Sequence, residues 1–115
     1  MKKPSNRRAI RDDFCLVRWQ HRFLAESPEM QRATRFQTTV SRRAYHEFNV
    51  WLLRTGKRLN VCQVTPAAID EFATELVRRG GEVDFVWRAE HALLKLAAWL
   101  STRDSTELSS STTSR

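Results

Sequence analysis

The fold of this chain is decided by residues 38–59, which read TTVSRRAYHEFNVWLLRTGKRL, together with 64–76, VTPAAIDEFATEL, and 88–100, RAEHALLKLAAWL. Apolar residues recur in each segment at the three- and four-residue spacing of an amphipathic helix. No strand-like alternation of apolar and polar residues stands out in the sequence. The pattern therefore predicts an all-α protein.

Proline and glycine punctuation predicts where the helices begin and end. Pro66 suits the first position of a helix that Thr65 caps, while Gly56 and Gly80 suit helix ends. Thr38 or Thr39 is the predicted N-cap of the second helix, after a polar connector over 29–36. Four helices are expected: Arg8 to Ala25, Thr38 or Thr39 to Gly56, Thr65 to Gly80, and Asp84 to Thr102.

The apolar residues assign a buried face to each helix and bound one domain over 8–103. A basic arm over 1–7 precedes it, and a Ser/Thr-rich tail over 104–115 is expected to be disordered. The predicted buried stripes are Ile10, Phe14, Val17, His21 and Leu24, widened by Trp19 and Phe23; Ser41, Tyr45, Phe48 and Leu52; Ile69, Phe72, Ala73 and Leu76; and Ala89, Leu93, Leu96 and Leu100. A chain of 115 residues can build one modest core of this kind.

The charge of the chain favours a polyanionic partner. Lys and Arg number 20 against 13 Asp and Glu, which gives a formal net charge of +7. From residue 30 to 60 every Asp, Glu, Lys or Arg is basic except Glu47, whereas from 61 to 77 all of them are acidic. Such polarised charge suits nucleic acid or an acidic membrane surface. Without a long apolar run or a signal peptide, we expect a cytoplasmic protein, nucleoid-associated if it binds DNA.

No motif in the sequence predicts catalysis, a metal site or a cofactor. Cys15 and Cys62 are isolated and are expected to be buried, and the histidines have no metal-ligand spacing. Tyr45, the single tyrosine, lies on a predicted buried stripe. No phosphate-binding glycine loop and no nucleophile motif occurs. We therefore expect no enzymatic activity and no small-molecule substrate.

Two polar stripes predict a surface for DNA. One lies on the second helix, where Asn49 extends it, and the other lies on the fourth helix opposite the leucines. Arginine and lysine bind phosphates, and the hydroxyls of Thr38, Thr39 and Ser41, with the amides at the start of the second helix, are predicted to hold another phosphate. The predicted DNA-binding residues are Arg35, Thr38, Thr39, Arg42, Arg43, His46, Arg88, His91 and Lys95. The alternative for each stripe is an ordinary solvated helix face.

The four tryptophans are expected to belong to the core, with one alternative for the last helix. Trp87 lies off the leucine stripe, so Phe85, Val86 and Trp87 would form a patch for a protein partner if they were exposed. This patch and the acidic third helix favour a rival prediction, which is a helical interaction adaptor or regulator without DNA binding.

Several positions match the pattern of a known domain. The second-helix pattern T…Y…F…WL…G…L is matched by Thr38 or Thr39, Tyr45, Phe48, Trp51-Leu52, Gly56 and Leu59. The third is matched by Val64-Thr65, Ile69, Phe72 and Leu76, and the fourth by Arg88, Ala92-Leu93, Leu96 and Trp99-Leu100. In this order they resemble the core-binding (SAM-like) domain of tyrosine recombinases and phage integrases.

The resemblance implies a compact four-helix orthogonal bundle that forms half of a clamp around duplex DNA. It implies a mobile-element context of site-specific recombination, with contacts at Thr38, Thr39, Arg42, Arg43, Arg88, His91 and Lys95. Asp84-Phe85-Val86 departs from the Ser/Thr usual at the start of the fourth helix. The family's Arg/Lys/His/Arg and tyrosine-nucleophile set has no counterpart. The chain is thus expected to be a binding module, free-standing or part of a longer recombinase, with a recombinase or another protein as a second partner.

Overall fold

The computed structural model describes residues 16–103, and five α-helices follow one another along this part of the chain. The basic arm, the tail and the positions Ile10, Phe14 and Cys15 lie outside the described residues. The helices are α1 Leu16–Glu26, α2 Pro28–Gln31, α3 Arg35–Arg54, α4 Pro66–Arg78 and α5 Val83–Ser101, with a 3-10 turn at Val61–Gln63. No strand occurs within these residues, so the all-α prediction is confirmed.

The predicted helix ends are confirmed where glycine and proline mark them. The Thr65 side chain accepts a hydrogen bond from the Ala68 amide, and Pro66 is the first helical residue of α4. Gly56 has φ +81° directly after the cap of α3. After α4, the Gly81 amide donates to the Leu76 carbonyl at 2.8 Å, and a Cβ on Gly81 would meet that oxygen at 2.9 Å. Only glycine therefore fits this tight junction between α4 and α5.

The predicted start of the second helix is wrong by one turn. Thr34, and not Thr38 or Thr39, is the N-cap of α3. Its hydroxyl accepts a hydrogen bond from the Gln37 amide, and the Gln37 side chain accepts one from the Thr34 amide. This capping box satisfies two amides at once, so the helix begins at Arg35 inside the segment predicted to be a connector. The same segment also holds the short helix α2.

The core lies between α1, α3, α4 and α5, and α3 and α4 both pack against α5. The predicted stripes of α3, α4 and α5 are buried as expected. The largest fully buried side chains are Phe23, Phe48, Phe72, Leu16, Leu52, Ile69, Leu93 and Leu96. The Phe48 and Phe72 rings meet edge to face at 5.3 Å and join α3 to α4. Such buried aromatic pairs add specific geometry to apolar burial.

The predicted buried face of α1 is confirmed at Trp19 and Phe23 and wrong at His21. His21 is exposed and Val17 is half-buried, whereas Trp19 and Phe23 are buried. Trp19 and Phe23 are buried in preference to Val17 and His21 because they have more apolar area to bury. Both rings contact Trp99 of α5. Cys62 is also exposed, contrary to the prediction that it is buried.

A reciprocal amide pair fixes α1 against α3. The Gln20 side chain donates to the Asn49 oxygen at 2.9 Å, and the Asn49 side chain donates back to the Gln20 oxygen at 2.9 Å. Gln20 is buried, so this pair satisfies polar atoms that water does not reach. Asn49 is thereby occupied within the fold and does not extend the predicted DNA stripe.

Candidate nucleic-acid interface

One exposed face of α3 carries cationic side chains along most of its length. Arg35, Thr39, Arg42 and His46 follow i, i+4, i+7 and i+11 spacing, and Arg43 lies beside them. All five side chains are exposed, and together we call them the α3 face. Because α3 begins a turn earlier than predicted, Arg35 becomes part of this face rather than of a loop.

The α3 face reaches from one flank of the bundle to the other. Arg42 borders a shallow hollow with His21, Leu24 and Thr38, next to α1. Arg43 lies on the opposite side, where its guanidinium carbon is 4.2 Å from the centre of the Phe85 ring of α5. The two consecutive arginines therefore point to different sides of α3 and widen the α3 face.

No carboxylate pairs with the α3 face within residues 16–103. The ion pairs of this part of the chain join Arg22 to Glu26, Arg78 to Glu75, Arg88 to Asp84 and Lys95 to Glu29. None of these cations belongs to α3. As far as residues 16–103 are concerned, the α3 arginines consequently present positive charge that no carboxylate pairs with, which favours binding of a polyanion.

The predicted phosphate site at Thr38 and Thr39 is wrong. The Thr38 amide and hydroxyl both donate to the Thr34 carbonyl, at 3.0 and 3.1 Å. Amides at these positions belong to the first turns of α3 and do not open a helix. Ser41, the third predicted member, is buried on the inner side of α3. Thr39 remains available only through its exposed side chain on the α3 face.

The α5 stripe, Arg88, His91 and Lys95, is one face of α5 as the spacing predicts, but its cations have partners. Arg88 Nε lies 3.1 Å from a carboxylate oxygen of Asp84, and Lys95 Nζ lies 2.9 Å from one of Glu29. The His91 ring lies against that of Trp87 with centroids 4.2 Å apart and the planes tilted by 43°. These contacts reduce the positive charge that the α5 stripe offers to a ligand.

Two reciprocal contacts join the predicted DNA-binding residues of α3 and α5. Arg43 of α3 lies over Phe85 of α5, while the Arg88 guanidinium carbon of α5 lies 5.1 Å from the centre of the Phe36 ring of α3. Cations over aromatic faces are attracted by the ring quadrupole. The basic side chains of both helices are therefore held along one seam.

The predicted patch Phe85-Val86-Trp87 does not exist as one surface. Val86 is buried, Phe85 is partly buried under Arg43, and Trp87 is 57% exposed. Consecutive residues of a helix point about 100° apart, which separates the three side chains. The expectation that Trp87 belongs to the core is also wrong, whereas Trp19 and Trp51 are buried as predicted.

A cleft of about 320 Å³ lies between α2, the start of α3 and the α5 stripe. Glu29, Arg32 and Phe36 line it together with Trp87 and the α5 stripe. Sequence reasoning missed these three residues because it assigned 29–36 to a connector. The letters T-R-F-Q at 34–37, a Thr followed three residues later by Gln, were the local signal for a helix start.

Tyr45 lies beneath the α3 face on the buried side of the helix. Burial, and then the negative charge of Glu29, raise the pKa of its hydroxyl well above the ordinary value. The hydroxyl has no hydrogen-bond partner among the described residues. A buried phenol that resists ionisation is unsuited to act as a nucleophile.

The described residues also limit the other kinds of site. Within 16–103 no group of three or more His, Cys, Asp or Glu could hold a metal ion. None of the helices in this range is long and apolar enough to cross a membrane. Comparison with protein-family models, with curated proteins and with solved structures finds no significant match to this chain.

Proposed function

We propose that this chain is a non-catalytic DNA-binding module that holds duplex DNA by its phosphates through the α3 face. The observation that carries the proposal is the row of exposed α3 cations without a carboxylate partner in residues 16–103. A duplex offers a regular line of negative charge, and its neutralisation by Lys and Arg dominates binding. A helix with such a face also fits the width of a major groove.

The proposal includes the fold type and the biological setting. It takes the bundle to be of the integrase core-binding (SAM-like) type, with α3 and α5 directed toward the DNA. Site-specific recombination or DNA integration is the corresponding context, and a recombinase or another protein is a second partner. The seam that joins Arg43 to Phe85 and Arg88 to Phe36 supports a surface built from both helices.

The decisive experiment compares two pairs of consecutive arginines in the same chain. Arg42→Ala/Arg43→Ala alters the α3 face, and Arg78→Ala/Arg79→Ala removes the same formal charge at the end of α4. Binding to a short blunt-ended duplex is followed by fluorescence anisotropy between about 50 and 200 mM salt.

The α3 variant is expected to bind about 30-fold more weakly, with a salt slope reduced by roughly two. The α4 variant should stay within about threefold of the unaltered chain, because charge away from the interface acts only through screened fields. Equal losses in both variants would contradict the proposal, as would an unaltered chain that does not bind duplex at low salt.

A protein-interaction adaptor is the second candidate function, and one observation favours it. Val83, Trp87 and Leu94 are exposed large apolar side chains on α5, and they share one side of that helix. Apolar surface of this kind marks protein contacts in many domains. A chain that fails to bind duplex at low salt but forms a stable complex sensitive to Leu94→Ala would favour the adaptor.

A further inference from the structure

The cleft between α2, α3 and α5 exposes aromatic rings above a buried apolar floor. Phe23, Met30 and Ala92 form the floor, and all three are buried. Phe36 and Trp87 stand on the walls, with 58% and 57% of their side chains exposed. Large aromatic side chains are usually buried in a folded protein. Two that remain more than half exposed in one cleft therefore indicate a surface for a ligand.

Neighbouring side chains hold both rings in place. Arg88 lies over Phe36 at 5.1 Å, and His91 lies against Trp87 at 4.2 Å. Arg88 and His91 both lie on α5, close after Trp87 in the sequence. Because more than half of each ring side chain is still exposed, each keeps area for a further planar group. Pre-positioned rings bind such a group at a lower entropic cost than mobile ones do.

The rim of the cleft is cationic. Arg32 lines it and pairs with no carboxylate within the described part of the chain, whereas Arg88 pairs with Asp84 and Lys95 pairs with Glu29. Both pairs are solvent-exposed, so each contributes little and can be exchanged for another anion. A phosphate would therefore bind first at Arg32 and compete for the other two cations.

We propose that this cleft binds a nucleotide, with the base against Phe36 and Trp87 and the phosphate at Arg32, Arg88 and Lys95. Aromatic platforms next to backbone-binding cations are how proteins hold unpaired bases. The volume of about 320 Å³ suits one small planar ligand, whereas an amphipathic peptide helix needs a longer groove with several anchor pockets. An unpaired strand and a free nucleotide share this chemistry, and the inference rests on the proposed function only for the strand as its source.

The test measures how much the base contributes to binding. The full chain is titrated with oligothymidylate, with an abasic strand of the same length and with thymidine monophosphate. The base-containing strand is expected to bind about tenfold more tightly than the abasic strand, because one base stacks in the cleft. Once that preference is present, binding of the free monophosphate, followed by tryptophan fluorescence and by competition with the strand, shows whether a free nucleotide is a source as well as a strand.

Variants assign the base effect to the cleft. Phe36→Ala/Trp87→Ala should remove the tenfold preference, and Trp87→Phe, which keeps a ring, should retain most of it. Leu53→Ala is the matched control, because Leu53 is equally exposed on another surface. Glu29→Gln should tighten binding by releasing Lys95. Equal binding of the two strands by the unaltered chain overturns the inference, and so does a preference that survives in Phe36→Ala/Trp87→Ala.

The two proposals fail separately in these measurements. Arg42→Ala/Arg43→Ala should weaken both strands equally and leave their ratio unchanged. Loss of duplex binding with a persistent base preference overturns only the proposed function of the α3 face. Salt-dependent duplex binding with a ratio of one overturns only the nucleotide cleft.

Discussion

The α3 face and the α5 stripe have similar sequence signatures and different surroundings. Both are rows of cationic side chains at helical spacing, opposite an apolar stripe. On α3 the arginines contact no carboxylate in residues 16–103, whereas on α5 Arg88 pairs with Asp84 and Lys95 pairs with Glu29. The difference teaches that a charged stripe acquires its electrostatic character from the neighbours that folding supplies. Spacing alone does not determine it.

The two regions should differ most when three cations are removed from the α3 face, or three from the α5 stripe and the adjoining cleft. Arg35→Ala/Arg42→Ala/Arg43→Ala is expected to weaken duplex binding about a hundredfold at low salt, because three phosphate contacts are lost. Arg32→Ala/Arg88→Ala/Lys95→Ala should cost only about threefold, since Arg88 and Lys95 bind a phosphate only in exchange for Asp84 and Glu29, which lowers the net attraction lost. Anisotropy titrations measure both. A larger loss in the second variant would reverse the assignment of the interface.

Removing the acidic partners should make the two regions more alike. Glu29→Gln/Asp84→Asn leaves Lys95 and Arg88 without carboxylates, and duplex binding is expected to tighten about fivefold at low salt. Glu71→Gln/Glu75→Gln on α4 is a control with the same change in net charge. If the control tightens binding to the same extent, net charge rather than local pairing governs affinity.

The pKa of Tyr45 reports how strongly the negative charge of Glu29 acts inside the fold. Burial is the larger cause of its raised pKa and Glu29 is the smaller one, so Glu29→Gln should lower that pKa while leaving it above the ordinary value. Because Tyr45 is the only tyrosine, absorbance of the tyrosinate ion reports it directly. An unchanged titration in Glu29→Gln would show that the charge of Glu29 does not reach the α3 core.

The same shift predicts how stability depends on pH. The folded pKa of Tyr45 is raised because burial and Glu29 disfavour its ionised form, so no stability is lost to ionisation below the unfolded value, near 10. Stability is lost as pH rises from there through the folded pKa. Tyr45→Phe should remove this alkaline loss and add about 1 kcal/mol at neutral pH, because it deletes a buried hydroxyl that has no hydrogen-bond partner within residues 16–103. Urea unfolding at neutral and alkaline pH tests both effects.

The smallest expected effect concerns the seam that joins the two regions. Phe85→Leu keeps apolar volume but removes the ring under Arg43, and should cost about 0.5 kcal/mol of stability. Duplex affinity should fall by less than about twofold, since Arg43 keeps its charge and loses only a support. Thermal unfolding and anisotropy provide the two measurements. A tenfold loss of affinity would mean that Phe85 contacts the DNA itself.

Local signals predicted most of the fold because glycine and proline act within a few residues. Gly56, Thr65-Pro66 and Gly80-Gly81 all mark real helix ends. The signal for the start of α3 is also local, since it is the capping box of Thr34 and Gln37, but Thr38 and Thr39 are equally plausible N-caps in the sequence. The phase of α1 was not local, because it depends on which rings meet Trp99 from the far end of the chain.

The candidate site was only partly predictable for the same reason. The spacing placed Arg42, Arg43 and His46 on an exposed face, as the structure has them. It could not reveal that Glu29 reaches Lys95, or that Asn49 is held by Gln20, since both partners come from other helices. Trp87 was misplaced because an apolar residue beside a leucine stripe was assumed to be covered.

The reciprocal amide pair between α1 and α3 constrains how this sequence can change over time. Each side chain supplies one donor and one acceptor to the other. Replacing Gln20 or Asn49 alone therefore leaves the other amide without its hydrogen bonds in a contact that is largely shielded from water. Replacing both with apolar residues of similar size restores a satisfied interface. Among related sequences, positions 20 and 49 are therefore expected to covary, and a tolerated substitution at one position reports which residue stands at the other.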